Sequence, residues 1–184
     1  MPKGRVRKAL LEDARAIAAV HVAVSREIYE NLIPASVLAA ISVERRVRQW
    51  HQIIGTADAR AGTAVFVTDD PRNGIVGFAC CSRQRSKEMV AKGFDGEFQS
   101  IYLLHSFRGC GLGRSLVVEM ARCLRHQSMS GASCWVLREN NDARRFYESL
   151  AGQVVGERTD QVDQCTTLVE VAYGWESLDM LTGR

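Results

Sequence analysis

The densest concentration of chemically suggestive residues is Arg108-Gly109-Cys110-Gly111-Leu112-Gly113-Arg114. It follows an extended apolar run, Glu97 to Leu104. It leads straight into Leu112, Leu116, Val117, Met120 and Leu124, spaced as one face of a helix. A strand, a glycine cluster and a helix in that order present free backbone N–H groups at a helix N-terminus, where the dipole also favours an anion. Glycines permit positive φ and a close approach of ligand to backbone. The segment therefore reads as a phosphate cradle, and spacing narrows which kind. A Walker loop needs Gly-Lys followed by Ser or Thr, but Arg114 follows Gly113. A dinucleotide fingerprint, G-x-G-x-x-G, meets Arg114 in its last place when counted from Gly109 and Leu116 when counted from Gly111. What remains is R-x-x-G-x-G on Arg108, Gly111 and Gly113. A plain connecting turn would need no ligand, yet two arginines at a helix start are disfavoured without an anion nearby.

The elements that must position this turn can be read along the chain. Arg5 to Ala9 suits a first strand. Ile17, Val20, Val24 and Ile28 recur at helical steps between Asp13, a candidate N-cap, and Glu30. Pro34 interrupts, and Ser36 can cap a second helix through Val37, Leu38, Ile41, Val47 and Trp50 to Ile54. Thr63 to Thr68 and Ile75 to Cys81 alternate around the turn formers Asp69 to Gly74, which predicts a hairpin. Gln84 to Gly96 reads as a polar loop over one face. Cys134 to Leu137, Gln153 to Glu157 and Thr166 to Tyr173 are strands, and Asp142 to Leu150 is a short helix. Hairpins and crossovers together give an α/β fold with a mixed sheet (α+β in its hairpins) and helices on both faces.

Composition bounds the function. The 184 residues suit one domain spanning 1–184; hydrophobic residues are 46% and charged residues 24%, the balance of a globular chain. A formal charge of +3 gives no sign of a nucleic-acid binder. No apolar stretch approaches the ~20 residues that span a bilayer, and His21, Arg26 and Glu27 break up the region where a secretory signal would lie. The expectation is a cytoplasmic protein with no membrane partner. Cysteines 80, 81, 110, 123, 134 and 165 form no CxxC pair, so no metal site is expected and the thiols read as free. Cys80 and Cys81 should face opposite sides of their strand.

The segment Glu97 to Arg114 strongly resembles the central motif of the GCN5-related N-acetyltransferases, the GNAT superfamily. Val136 to Glu148 resembles that family's second motif, with Asn140 three residues before Ala143 and then Phe146-Tyr147. The match is close over 97–158 and loose over 5–83. His105, where many relatives carry proline, and Gln153, where an aromatic is common, depart from the pattern. The resemblance implies an acyl-CoA N-acyltransferase fold whose sheet splays in a V to admit acetyl-CoA as co-substrate. By position, the backbone amides of Arg108, Gly109, Cys110, Gly111, Leu112, Gly113 and Arg114 would bind the diphosphate. Leu103 and Leu104 would pair with the pantetheine arm, and the Leu103 N–H, freed by a strand bulge, would polarise the thioester carbonyl. Asn140 would hydrogen-bond the cofactor and Tyr147 would sit beside its sulfur. Family members often dimerise, so a homodimer is an expectation.

Acetyl transfer to an amine needs a neutral nucleophile, a polarised carbonyl, a stabilised oxyanion and a proton for the departing thiolate. An oriented backbone donor serves the carbonyl and the oxyanion. A phenol of ordinary pKa about 10 keeps its proton at neutral pH, so Tyr147 suits the acid role; it also reads as a core aromatic beside Phe146. Glu97, eleven positions before Arg108, resembles the general base of the histone-acetyltransferase branch. It reads equally as a charge attracting a cationic amine or as an exposed strand start. His105 and His51 titrate in a useful range but read as surface residues. Two other functions stay open: an acyl-CoA-binding domain without catalysis, and a nucleotide-binding switch, which the failed spacings weaken. The amine acceptor would be chosen by Tyr29–Pro34, Gln84–Gly96 and Asp160–Gln164.

Overall fold

The computed structural model describes residues 4–30, 32–35, 38, 41–57, 62–161 and 167–183. Seven strands form one sheet: β1 (Arg5–Lys8), β2 (Ala64–Asp70), β3 (Gly74–Arg83), β4 (Gly96–Leu103), β5 (Ala132–Leu137), β6 (Gln153–Gln161) and β7 (Thr167–Trp175). Their order is β1-β2-β3-β4-β5-β7-β6, and only β4 and β5 run parallel. The helices are α1 (Ala14–Tyr29), α2 (Val43–Gly55), α3 (Lys87–Ala91), α4 (Leu112–His126), α5 (Asn141–Ser149) and α6 (Asp179–Thr182).

Apolar periodicity puts one helix pair on each side. Ile17 and Val24 of α1 and Trp50 of α2 bury against Val67, Phe78 and Cys80. On the opposite face Leu116, Met120 and Leu124 of α4 bury against Cys81, Phe98, Cys134 and Trp175. Cys80 and Cys81 thus enter different cores, as strand alternation requires. A third, smaller cluster of Met89, Phe94 and Ala172 packs α3 onto the β5–β7 half.

Several local readings need correction. The helix through Val47 and Trp50 begins at Val43, capped by the Ser42 hydroxyl, which accepts from the Arg45 N–H at 3.1 Å, and Ala35 and Leu38 before it are helical as well. Ser36 and Val37 lie outside the described residues. Asp13 stands at the start of α1, but its carboxylate turns back to accept from the Leu10 N–H at 2.7 Å and from Arg7. The segment read as a loop after β3 contains α3, whose start is capped by Ser86 and whose buried anchor is Met89. α6 was not anticipated; its Leu181 buries in the α4 core.

The feature that matters most lies at the middle of the sheet. β4 pairs with β3 along its whole length, from Arg83↔Gly96 to Gly77↔Leu103, and β5 pairs with β7 out to Leu137↔Glu170. Between β4 and β5 the pairing covers only Gly96↔Ala132 and Glu97↔Ser133. Beyond those residues the strands part. Gln99 is left over where Cys80↔Ser100 gives way to Cys81↔Phe98, a bulge on β4. An extra residue on one strand sharpens its twist, and the parting begins where it sits.

Candidate active site

A cavity of about 710 Å³ fills the opening between the parted strands. Ile101 and Leu103 of β4 form one wall, Ala143, Phe146 and Tyr147 of α5 another, and Val24 and Ile28 of α1 close a third side. The glycine-rich turn and the first residues of α4 form the mouth.

That mouth is built for an anion. Gly109 and Gly111 have φ of +74° and +87°, and a Cβ at either would meet nothing within 4 Å. Conformation, not crowding, demands glycine there; an L-residue in left-handed geometry costs about 1–2 kcal/mol. Gly111 is the N-cap residue of α4 and supplies no side chain, and among the described residues no side chain caps that end. The first-turn N–H groups, from Leu112 onward, are therefore left for another acceptor. Gly113 is different: its Cβ would lie 3.2 Å from the Phe146 ring, so its small size lets α5 close against α4. Arg108, Arg114 and Arg145 line the cavity against one carboxylate, Asp142, which Arg145 itself holds.

The end of β4 supplies a donor. The Leu104 N–H donates to the Val76 carbonyl at 3.0 Å. The neighbouring pair, Gly77↔Leu103, is therefore of the non-hydrogen-bonded kind, and the Leu103 N–H and C=O point away from β3 toward the opening. The Leu103 carbonyl accepts from the Arg108 Nε at 3.1 Å. The bulge expected near Leu103 sits at Gln99; strand alternation at the sheet's parting, rather than the bulge itself, turns this amide outward.

Tyr147 is buried and lines the cavity, its ring 5.6 Å from Tyr173 and 5.9 Å from Trp175. Burial first, and the adjacent Cys134 thiol second, hold its phenol well above the ordinary range. A group so raised keeps its proton at neutral pH and can donate it. The Tyr29 phenol, at the end of α1, is pushed up to about 12, by burial and then by Tyr102 and Glu170.

A model of the acetyltransferase (GNAT) family matches residues 26–152. The uncharacterized N-acetyltransferase YuaI of Bacillus subtilis (strain 168) is 32% identical over 176 residues, covering 96% of this chain and 95% of that protein. The chain belongs to the acetyltransferase (GNAT) family. Solved structures agree on the GNAT fold. yncA, a putative acetyltransferase from Salmonella typhimurium solved with its cofactor acetyl-CoA, superposes with a TM-score of 0.68 at 20% identity over 96% of this chain and 94% of its own. A GNAT phosphinothricin acetyltransferase from Sinorhizobium meliloti, in complex with AcCoA, gives 0.66 at 19% identity, with 94% and 88% covered.

Within this GNAT frame the motif residues separate into two groups. Leu103, Arg108, Gly109, Gly111, Gly113, Arg114, Asn140 and Tyr147 surround the cavity. Asn140 caps α5, its Oδ1 accepting from the Ala143 N–H at 3.1 Å, so only its Nδ2 remains to meet a ligand. Cys110, exposed, turns its thiol onto the Phe107 carbonyl at 2.9 Å. The Leu112 side chain is buried at the start of α4, and the Leu104 amide is engaged by β3.

Glu97 stands apart. It is neither exposed nor among the cavity's lining: it is buried where β4 still pairs with β5, and both its oxygens are held by Arg85, at 2.7 and 2.8 Å. The structure does not bring Glu97 together with the residues that line the cavity. His105 is exposed at the mouth, and His51 is exposed on α2. Val24, Ile28, Asp142 and Arg145 were not singled out from sequence. Arg145 was the findable one, a cation one helical turn after Asp142 in the second motif. Among the described residues no cluster of His, Cys, Asp or Glu could hold a metal, and no helix is long and apolar enough to cross a membrane.

Proposed function

We propose that this family member is an N-acetyltransferase, a single domain over 1–184, that moves the acetyl group of acetyl-CoA onto a primary amine of a small molecule or peptide by direct attack within a ternary complex. The observation that carries the reading is the uncapped start of α4, with its left-handed glycines, facing a three-arginine cavity at the parting of β4 and β5. The chemistry of that donor set fits a diphosphate, and the acetyl-CoA complexes of the Salmonella and Sinorhizobium proteins support the same occupant.

Acetyl-CoA supplies a thioester, an acyl donor whose leaving group is a thiolate. The amides from Gly109 to Arg114 hold the anionic end, with Arg114 and Arg145 beside them. The Leu103 N–H donates to the thioester oxygen and to the oxyanion as the amine nitrogen adds to the carbonyl carbon; losing such a donor typically costs about 2.7–4 kcal/mol. As the C–S bond breaks, Tyr147 gives its proton to the departing thiolate, and it recovers one from the proton that the attacking nitrogen releases, through water. Val24 and Ile28 of α1 close the side on which the acceptor would enter. Of the other acceptor segments named from sequence, part of Tyr29–Pro34 and the stretch 162–164 lie outside the described residues. This reading places the enzyme in the cytoplasm, working as a homodimer without nucleic acid or membrane.

A panel of primary amines incubated with acetyl-CoA, followed by free thiol, tests the proposal: thiol release with at least one amine, together with calorimetric heat for acetyl-CoA, is the expected result. Heat without thiol release from any amine would instead identify a binding domain, and no heat at millimolar acetyl-CoA would end the coenzyme reading.

A further inference from the structure

Arg108 opens the R-x-x-G-x-G pattern and would be expected to meet phosphate. Its guanidinium is committed elsewhere. Nε donates to the Leu103 carbonyl at 3.1 Å and Nη1 donates to Glu27 Oε1 of α1 at 2.7 Å. One side chain therefore joins three parts of the molecule: the last residue of β4, the turn that cradles the anion, and the helix carrying Val24, Ile28 and Tyr29. The planar fork suits this, since its donors point in fixed and different directions. Glu27 sits one residue before Ile28, which lines the cavity with Val24 of the same helix. Both ends of the ion pair are part-exposed, 32% for Arg108 and 41% for Glu27, so the pair adds little to global stability. Its geometry points to alignment.

We propose that Arg108 and Glu27 are positioning residues, a strut that couples occupancy of the coenzyme cavity to the order of α1, the acceptor-side wall. The proposal rests on the acetyl-CoA reading of the cavity. Seating the diphosphate fixes the turn, the turn fixes Arg108, and Arg108 holds both the Leu103 peptide and the C-terminal end of α1. By linkage, whatever steadies α1 also tightens the coenzyme, so the coupling is reciprocal.

The test pairs acetyl-CoA calorimetry with amide hydrogen exchange on the wild-type chain, Glu27→Gln and Arg108→Lys. In the wild type, saturating acetyl-CoA slows exchange both in 104–115 and in the last turns of α1. Glu27→Gln, a change at an exposed position, keeps acetyl-CoA affinity within about threefold and keeps the protection of 104–115, but loses the ligand-induced protection of α1 at least about tenfold. Raising the salt from 0.05 to 0.5 M erodes the α1 protection in the wild type and leaves Glu27→Gln unmoved, a response that a merely structural contact would not give. Arg108→Lys, which can reach one partner but not both, loses the ligand-induced protection of α1 as Glu27→Gln does. Unchanged α1 protection in Glu27→Gln, with acetyl-CoA heat intact, overturns the strut alone. A tenfold loss of acetyl-CoA affinity in Arg108→Lys with none in Glu27→Gln also overturns it, and makes Arg108 a phosphate ligand. Absence of heat in the wild type overturns the coenzyme reading itself.

Discussion

The two ends of β4 differ in what they leave unsatisfied. At Gly96 and Glu97 the strand is bonded on both edges, and the polar side chains there form a closed set. Gln84 donates to the Gly96 carbonyl and to the Ser133 hydroxyl, Arg85 holds Glu97, and Gln99 donates to the Ser82 hydroxyl. At Ile101 to Leu103 the strand is bonded to β3 alone and its other edge faces the cavity. A buried polar network with every group paired is a structural device; an edge with free donors is where a ligand can act. The two helix starts at the cavity repeat the contrast. α5 is capped by Asn140, whereas α4 has no side-chain cap.

The strongest way to break this comparison is at the open end. Tyr147→Phe should lower kcat by about a hundredfold or more, the usual scale of a lost general acid, while acetyl-CoA affinity stays within about threefold. Steady-state kinetics and calorimetry read the two numbers. Equal losses in both would assign Tyr147 to packing, and the open end would lose its acid.

A pH titration of stability sharpens the same boundary. His21 of α1 packs 4.7 Å from the Tyr102 ring at the open end and accepts from Trp50 Nε1 at 3.0 Å. Burial, then the charge of Arg46, lowers its pKa to about 4. The folded value lies below the unfolded value of about 6.5, so the unfolded chain binds the proton more readily between them. Stability is full above about pH 6.5 and drains as pH falls toward 4, by on the order of 3 kcal/mol. His21→Gln keeps an acceptor for Trp50 and should flatten that slope in denaturant melts at pH 7, 5.5 and 4.5. An unchanged slope would move the acid-sensitive element away from His21.

The smallest effect is expected at the closed end. Glu97→Gln should leave kcat/KM and its pH profile within about threefold, and cost about 1 kcal/mol of stability because exposed Arg85 can return to water. A hundredfold loss with an altered pH profile would restore the carboxylate as a base and erase the distinction between the two ends.

Much of this was legible in the residues. Gly109 and Gly111 announce themselves because only glycine adopts their backbone cheaply, and the apolar spacing of α1 and α4 follows from the cores they fill. The motif around Asn140 and Tyr147 was found for the same reason: local spacing carries it. The place of Glu97 on β4 is legible in the sequence, but the residue where β4 leaves β5 is not. That point depends on a bulge at Gln99 and on which strands meet across the sheet. Val24 and Ile28 were hidden because their contact with the cavity is tertiary, made by a helix more than seventy residues upstream of the glycine turn. α3 and α6, of five and four residues, are too short for periodicity to signal.

The parting of β4 from β5 also creates two raw borders inside a sheet that is otherwise continuous. An occupant carrying amides of its own can act there as a surrogate strand, bridging halves that touch through two residue pairs. Such a guest binds only the folded chain, so a rise in melting temperature with its concentration gives a direct gauge of how full the gap is.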